Sequence, residues 1–443
     1  MKRNLLVCSS LLLAFACLEG GSNLNGQRSG NREGGIQLWL GDIAVDADGR
    51  YFLSRSEDHL VVGDLQLGSL SVIDEIPVPE VLVFRPDRTA GFYAVHVEVD
   101  QDGTPRETVT SFDLDRRAIL WEKRLTRWDF TMDVTKDGDR LVLTSGDSIL
   151  VLDTDDGLQI AEVTLEHPAV DVDLLSDGRI VAMEQRTFDA NNLPEARVSV
   201  WSSADGSAIC ETTIDNCDSE LVVTQDSARA FIAPTRCGRD PISVVDLDSC
   251  TYRGNLPGFG PVALSPDGDT VVGFADRDAN DPTAPPLPQS VLESDDRYHL
   301  MFVDVESLDY DTTAIGDLLP RYAFTPNGAT LIVDHDVDRN QSRPGPVVLV
   351  DVDDRTLREV VGPEVEMNHF ALTPDSSRAF VVDLGLFELD IEEALTKRVP
   401  LSFDPASVNI TPRGETLLLK DAVYGRVHLF DIASEEEGAT LSL

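Results

Sequence analysis

Basic residues are scarce in this chain. Of 443 residues, 36 are Lys or Arg and 79 are Asp or Glu, which gives a formal net charge of −43. Nucleic-acid binding depends on clustered Lys and Arg side chains that contact phosphates, and an acidic chain repels a polyanion. The composition therefore excludes a nucleic-acid-binding protein.

Aromatic residues and long apolar runs are also scarce. Phe, Trp and Tyr make up 6% of the chain, which disfavours a lectin because sugars bind by stacking on aromatic rings. Beyond residue 16 no stretch of about 18 apolar residues occurs, so no membrane-spanning helix is predicted. The apolar fraction of 42% is typical of a folded protein and excludes wholesale disorder.

The N-terminus has the pattern of an export signal. Lys2 and Arg3 precede the apolar run Leu5–Leu13, and small residues follow before Cys17. This order of basic, apolar and small residues is typical of a secretory signal peptide, which we assign to residues 1–16. Residues 17–35 are rich in Gly, Ser and Asn, a composition that predicts a flexible tether.

The segment Leu13–Cys17 resembles a bacterial lipobox, so we predict lipidation of Cys17. Leu18, in place of an Asp, resembles the sorting pattern of outer-membrane lipoproteins. The predicted location is the outer membrane of the cell envelope, with membrane contact only through the lipid. The alternative is a soluble periplasmic or secreted protein, because Ala14-Phe15-Ala16 also suits ordinary signal peptidase.

A single pattern recurs nine times: an apolar strand, a polar turn and a second apolar strand. Asp-Gly and Pro-Asp-Gly turns between alternating apolar residues are hairpin signals, because Pro presets one turn dihedral and Gly tolerates positive φ. The copies occupy residues 43–54, 82–95, 132–144, 172–183, 221–233, 262–274, 322–334, 370–383 and 408–421.

A second pattern counts the same units independently. Downstream of each hairpin an apolar run ends at a marker residue, which is Asp in eight units and Ser in one, and a further short strand follows. Four antiparallel strands every 40 to 50 residues or so are the signature of a β-propeller blade. The markers are Asp64, Asp113, Asp153, Ser202, Asp246, Asp304, Asp351, Asp390 and Asp431.

The hairpin Ser/Thr-Pro-Asp/Asn-Gly with its downstream strand ending in Asp resembles the YVTN-type and SPDG-type bacterial propellers, relatives of WD-repeat rings. The resemblance covers residues 36–443 and implies an all-β fold, a single propeller of four-stranded antiparallel blades. Nine units predict an eight- or nine-bladed ring, or a ring in which residues 36–40 complete a blade begun at the C-terminus. We expect a monomeric ring.

Four insertions fall after the second strand of a unit, and thus at one end of the ring, where the strand b–c connections emerge. They span residues 97–107, 184–196, 275–297 and 334–346. Because function concentrates on loops held by a rigid scaffold, we interpret this end as a binding face. Neutral variation of a solvent-exposed face is the alternative. The binding-face carboxylates that we single out are Asp100, Asp102, Asp189, Asp295 and Asp296.

Two of these loops carry alternating oxygen ligands, a pattern that suits calcium because calcium accepts six to eight oxygens in irregular geometry. No other cofactor is indicated. Abundant Asp with only five Lys also resembles the solvated surfaces of salt-adapted proteins, so the carboxylates have a second explanation. The candidate calcium ligands are Asp276, Asp278, Asn280 and Asp281 in one loop, and Asp334, Asp336 and Asp338 in the other.

Four cysteines fall within the fourth and fifth units, and export permits disulfides. The strand order places Cys217 and Cys237 at the end with the long loops, and Cys210 and Cys250 at the opposite end. Seven extended residues span about 23 Å, which is too far for a disulfide between the two ends. We therefore predict the pairs Cys217–Cys237 and Cys210–Cys250, each joining adjacent blades.

None of the seven histidines lies in a Gly-x-Ser-x-Gly, His-Glu-x-x-His or P-loop motif. His428 alternates with apolar residues and is interpreted as structural, while His299 and His335 border long loops. The favoured function is a non-catalytic platform for an envelope or extracellular protein or ligand. The alternatives are an enzyme of the lactonase or hydrolase type, with a site in the central channel, and an envelope assembly factor.

Overall fold

The computed structural model describes most of the chain from residue 43 onward. The described residues are 43–55, 59–79, 81–86, 91–99, 105–125, 130–135, 137–185, 196–214, 219–234, 241–278, 285–317, 320–335, 347–363, 369–421 and 426–442. Residues 36–42, which we assigned to the propeller, and the whole predicted signal and tether lie outside them.

Within these residues, thirty-six strands form nine four-stranded antiparallel sheets, each made of four consecutive strands named a to d. Blades 1 to 3 contain β1 (Ile43–Val45), β2 (Tyr51–Arg55), β3 (Leu60–Asp64), β4 (Ser69–Ile73), β5 (Val81–Phe84), β6 (Gly91–Val99), β7 (Pro105–Asp113), β8 (Ala118–Arg124), β9 (Phe130–Val134), β10 (Arg140–Ser145), β11 (Ser148–Asp153) and β12 (Gln159–Thr164). Blades 4 to 6 contain β13 (Ala169–Leu174), β14 (Arg179–Gln185), β15 (Ala196–Ser202), β16 (Ala208–Ile214), β17 (Ser219–Val223), β18 (Arg229–Pro234), β19 (Ile242–Asp246), β20 (Thr251–Leu256), β21 (Phe259–Leu264), β22 (Thr270–Asp276), α1 (Gln289–Leu292), β23 (Tyr298–Asp304) and β24 (Tyr310–Gly316). Blades 7 to 9 contain β25 (Pro320–Phe324), β26 (Thr330–His335), β27 (Val348–Asp351), β28 (Leu357–Glu359), β29 (His369–Leu372), β30 (Arg378–Val382), β31 (Leu386–Asp390), β32 (Leu395–Val399), β33 (Pro405–Ile410), β34 (Thr416–Asp421), β35 (Val427–Asp431) and β36 (Glu436–Leu441).

The fold is a nine-bladed β-propeller. Each of the nine predicted hairpins forms the a and b strands of one blade, and each c strand ends at its predicted marker residue. The alternative of a split unit is wrong, because all four strands of blade 9 come from residues 405–441. In the described part of the chain, no helix is long and apolar enough to cross a bilayer.

The hydrophobic core is divided into nine clusters, and each cluster lies between two neighbouring blades. Side chains alternate between the two faces of a strand, so each blade contributes one apolar face to each neighbour. A single blade cannot bury both faces alone. The ring is therefore stabilised by packing around its whole circumference.

Blade 9 packs against blade 1 without exchanging a strand. Phe52 of blade 1 is fully buried in a cluster with Leu418 of blade 9. Two polar contacts reinforce this seam: Asn409 Nδ2 donates to the Ile43 carbonyl at 2.7 Å, and Lys420 Nζ donates to the Arg55 carbonyl at 2.7 Å. The ring is closed by face-to-face packing and side-chain hydrogen bonds.

One end of the ring, which we call the turn end, carries the a–b and c–d turns. In six blades a Ser or Thr hydroxyl accepts the N–H five residues later, as Thr135 accepts from Arg140 at 3.0 Å. The marker residue closes the c–d turn, as Asp304 accepts the N–H groups of Glu306 and Ser307. The marker carboxylates thus have a structural role in the turns.

Candidate functional site at the loop end

The opposite end of the ring, the loop end, carries the b–c connections and the links between blades. Its connections differ in length from blade to blade. In blade 8 the b and c strands are separated only by residues 383–385, whereas in blade 6 they are separated by residues 277–297. The insertions identified in the sequence predict this contrast in the length of the b–c connections.

Two of the predicted insertions lengthen strands as well as loops. In blade 2, residues 97–99 belong to β6 and residues 105–107 to β7, so the hairpin extends and the connection itself covers only residues 100–104. In blade 4, β14 continues to Gln185 and β15 starts at Ala196. The reason is that alternating residues such as Val97 and Val99 continue the pairing of the sheet.

The blade 6 connection is tied down by one arginine. Arg277 Nη1 donates to the carbonyls of Ser294 and Asp295, both at 2.7 Å, and its backbone N–H donates to the Arg297 carbonyl. Between these points the short helix α1 buries Val291 completely. The described part of this long connection is thus a packed structure on the loop end.

Arginines also occupy the first predicted calcium position. Asp276, which is 1% exposed, accepts from Arg297 Nε at 3.2 Å and Nη2 at 3.1 Å. Asp278 lies 3.4 Å from Arg277 Nε and 3.7 Å from Arg297 Nε. These pairs neutralise charge that a cation would require. Calcium at this position stays a prediction.

The remaining loop carboxylates are only partly within the described residues. Asp334 is buried at the end of β26, and Asp295 and Asp296 lie beside Arg297 in the blade 6 connection. The other predicted ligands and binding-face residues lie outside the described residues; they are Asp100, Asp102, Asp189, Asn280, Asp281, Asp336 and Asp338.

Blades 4 and 5 are joined at the turn end by a disulfide between Cys210 and Cys250, with Cα atoms 5.7 Å apart. Cys210 lies on the d strand of blade 4, and Cys250 lies in the c–d turn of blade 5. The predicted loop-end partners Cys217 and Cys237 lie outside the described residues, as does Cys17. The pair Cys217–Cys237 stays a prediction.

The histidines that the sequence singled out have mainly structural surroundings. His428 stacks on Phe403 with ring centroids 3.6 Å apart, and its Nδ1 lies 3.1 Å from the Thr440 hydroxyl. His299 is buried at the start of β23, and this burial lowers its pKa. The side chain of His335 lies outside the described part.

One cluster of titratable groups at the loop end was not singled out from the sequence. His96 and Glu98 on β6 and Glu122 on β8 bring one imidazole and two carboxylate groups together, with the three nearest ligand atoms all within 4.8 Å of one another. Burial lowers the pKa of His96, and the two carboxylates oppose this effect. The sequence signal was His-Val-Glu in an alternating strand, which places His96 and Glu98 on one face.

The a strands of neighbouring blades lie next to one another around the inside of the ring. Two of their polar side chains bridge neighbouring blades: Asp171 Oδ2 accepts the Leu221 N–H of the next blade at 3.0 Å, and Asn409 Nδ2 donates to the Ile43 carbonyl across the closing seam. These two groups therefore have structural partners at the inner surface.

Comparisons with known proteins identify the fold alone. No protein-family model and no curated protein sequence matches the chain. A crystal structure of the eukaryotic initiation factor is similar with a TM-score of 0.58 at 12% identity, over 80% of this chain and 85% of that one. Dihydro-heme d1 dehydrogenase NirN in complex with DHE has a TM-score of 0.49 at 14% identity, covering 81% and 74%. Apo AztD from Citrobacter koseri has a TM-score of 0.46 at 14% identity, covering 80% and 94%.

Proposed function

We propose that the protein is a non-catalytic binding platform of the cell envelope, which engages an envelope or extracellular protein through the loop end of its propeller. The observation that carries the proposal is the difference between the two ends. The turn end repeats one hydrogen-bonding pattern from blade to blade. At the loop end, the long b–c connections differ from one another in length. A surface that varies on a rigid scaffold is where specific recognition concentrates.

The blade 6 connection adds a built surface to this end. Arg277 and Arg297 fix its base, α1 packs by Val291, and Leu292 remains half exposed. In blade 8 the b–c turn presents Leu384, which is 92% exposed. Apolar side chains on an ordered surface contribute binding energy at low entropic cost.

The tether is proposed from the sequence. Lipidation of Cys17, followed by the Gly- and Ser-rich residues 19–35, would hold the ring near the outer membrane with freedom to reorient. A single lipid chain binds membranes weakly, and the multiple acyl chains of a lipoprotein hold it firmly.

Site-specific photo-crosslinking in the native host tests the proposal. A photoreactive amino acid is placed at Leu292 or Leu384 of the loop end, and at Leu67 or Leu158 of the turn end as matched controls. Both control leucines are strongly exposed, with Leu67 at 75%. We expect discrete crosslinked protein bands only from the loop-end positions.

Equal crosslinking from both ends, or crosslinking from the turn end alone, would overturn the assignment of the binding face. A Cys17→Ser variant in the same experiment separates the tether from the platform. It is expected to move from the membrane to the soluble fraction. Unchanged membrane association of Cys17→Ser would refute the lipid anchor. The binding platform would then still be tested by the crosslinking result alone.

A further inference from the structure

In the described part of the chain, the blade 2 hairpin carries a group of one histidine and two glutamates that the other blades do not show. Its strands β6 and β7 are nine residues each, so the hairpin extends toward the loop end. Residues 94, 96 and 98 share one face of β6, and Ala94 pairs with Thr110, which in turn pairs with Glu122. His96, Glu98 and Glu122 therefore lie on the same face of the blade.

That face is the one that packs against blade 1. Ala94 and Phe92 belong to the cluster shared with Leu60 and Val62 of blade 1. The apolar cluster covers the part of this face nearer the turn end, and His96 and Glu98 follow it along β6 toward the loop end. The three groups lie at the loop-end edge of the contact between blades 1 and 2.

His96 is the unexplained member of the group. It is 0% exposed, and among the residues that the structure describes neither ring nitrogen has a hydrogen-bond partner. Its Nε2 lies 3.5 Å from Glu98 Oε1, at the outer limit of a hydrogen bond. A buried polar group without a hydrogen-bond partner destabilises the folded state, so the retention of His96 requires a reason.

The geometry fits a bound ion. Two ligand atoms at about 2.1 Å from a tetrahedral metal lie about 3.4 Å apart, close to the observed separation of Nε2 and Oε1. Glu122 is exposed, and one of its carboxylate oxygens lies within 4.8 Å of the nearest ligand atoms of the other two groups. Thr110 Oγ1 donates to Glu122 Oε1 at 3.4 Å, which orients that carboxylate from the second side.

The types of ligand atom in this group indicate which metal ion it would bind. An imidazole nitrogen suits zinc and neighbouring transition metals, whereas calcium and magnesium prefer oxygen ligands alone. Two carboxylates balance a divalent charge, and three protein ligands leave a fourth position for water.

We propose that His96, Glu98 and Glu122 form a binding site for one divalent transition-metal ion, with Zn²⁺ as the ion that this ligand set fits. The site is separate from the calcium positions expected in blades 6 and 7. It does not depend on the platform function, because its evidence is the geometry of blade 2 alone.

Metal binding to the full mature chain tests the site. The chelator-stripped protein is titrated with Zn²⁺ by calorimetry, and Co²⁺ is used as a spectroscopic probe of bound nitrogen and oxygen ligands. We expect one site per chain that Ca²⁺ does not displace. Glu122→Gln, a change at an exposed position, is expected to weaken Zn²⁺ binding at least about tenfold.

Glu162→Gln is the matched control, because Glu162 is an exposed glutamate on the d strand of blade 3. It should bind Zn²⁺ as the unchanged protein does. His96→Gln should abolish the Co²⁺ spectrum, with far-ultraviolet circular dichroism confirming that it folds. Equal weakening by Glu122→Gln and Glu162→Gln, or a site that Ca²⁺ occupies as well as Zn²⁺, would overturn the proposal.

Discussion

The turn end and the loop end of the ring differ in how their residues are used. At the turn end, hydroxyl and carboxylate groups are satisfied by backbone N–H groups within a few residues, and the arrangement repeats around the ring. At the loop end, polar side chains reach partners distant in the sequence, as Arg297 reaches Asp276, or lie buried with no hydrogen bond to any described residue, as His96 does. The comparison indicates that one end maintains the fold and leaves the other end free to vary.

The disulfide gives the largest expected effect and extends the comparison to covalent links. Cys210→Ser opens a bridge between residues 40 apart, which in the loop-entropy description lowers the free energy of unfolding by about 4 kcal/mol. Chemical denaturation of the oxidised protein measures it. When both proteins are reduced, the free energy of unfolding of the variant should differ little from that of the unchanged protein.

Non-reducing peptide mapping of the same protein decides the pairing. It should recover a Cys210–Cys250 peptide from the turn end and a separate Cys217–Cys237 peptide from the loop end. A Cys210–Cys217 or Cys237–Cys250 peptide would contradict the strand order that separates the two ends.

Asp46 is an exception to the hydrogen-bonding pattern of the turn end, and its replacement has the second largest expected effect on stability. It stands where six blades have Ser or Thr, and it accepts the Tyr51 N–H at 2.8 Å as those hydroxyls accept theirs. Its second oxygen is buried with no hydrogen bond to any residue that the structure describes, and burial raises the pKa of the Asp46 carboxyl to about 6. A change from the ordinary 3.8 to about 6 corresponds to about 3 kcal/mol that favours the protonated form in the folded state.

Asp46→Thr should therefore stabilise the protein, and the gain should depend on pH. The folded state binds the Asp46 proton more tightly than the unfolded state does. The unchanged protein therefore loses the stabilisation linked to that proton as pH rises from about 4 to about 6. The variant should be more stable by up to about 3 kcal/mol at pH 8, with a much smaller gain near pH 4. Thermal unfolding at both values measures it, with Asp46→Asn as the uncharged control. An equal gain at both pH values would disprove the buried-charge explanation.

Asp304→Ala tests the ordinary marker residue and has the smallest expected effect. The change removes the acceptor of the Glu306 and Ser307 N–H groups, so we expect a loss of about 1 kcal/mol in the free energy of unfolding. Asp309→Ala, which removes an exposed carboxylate immediately before β24, is the control and should change stability by less than half as much. A similar loss in both variants would mean that the marker residue has no special role in the turn.

The amino-acid sequence by itself determined the repeating part of this protein. The nine hairpins and the nine c-strand ends depend on turn residues and alternation within a few positions, so local patterns such as Ser265-Pro-Asp-Gly were sufficient to predict them. Strand order also sufficed to place Cys210 and Cys250 at the same end of adjacent blades.

Only the tertiary structure decided the features that depend on contacts between distant residues. The sequence left the ring at eight or nine blades, and the packing of Phe52 against Leu418 closes it at nine. The pairing of Asp276 with Arg297 across a long connection was not visible as a pattern, nor was the meeting of His96 with Glu122. Such contacts follow from strand register and from which blade face is buried, and local spacing does not encode either of them.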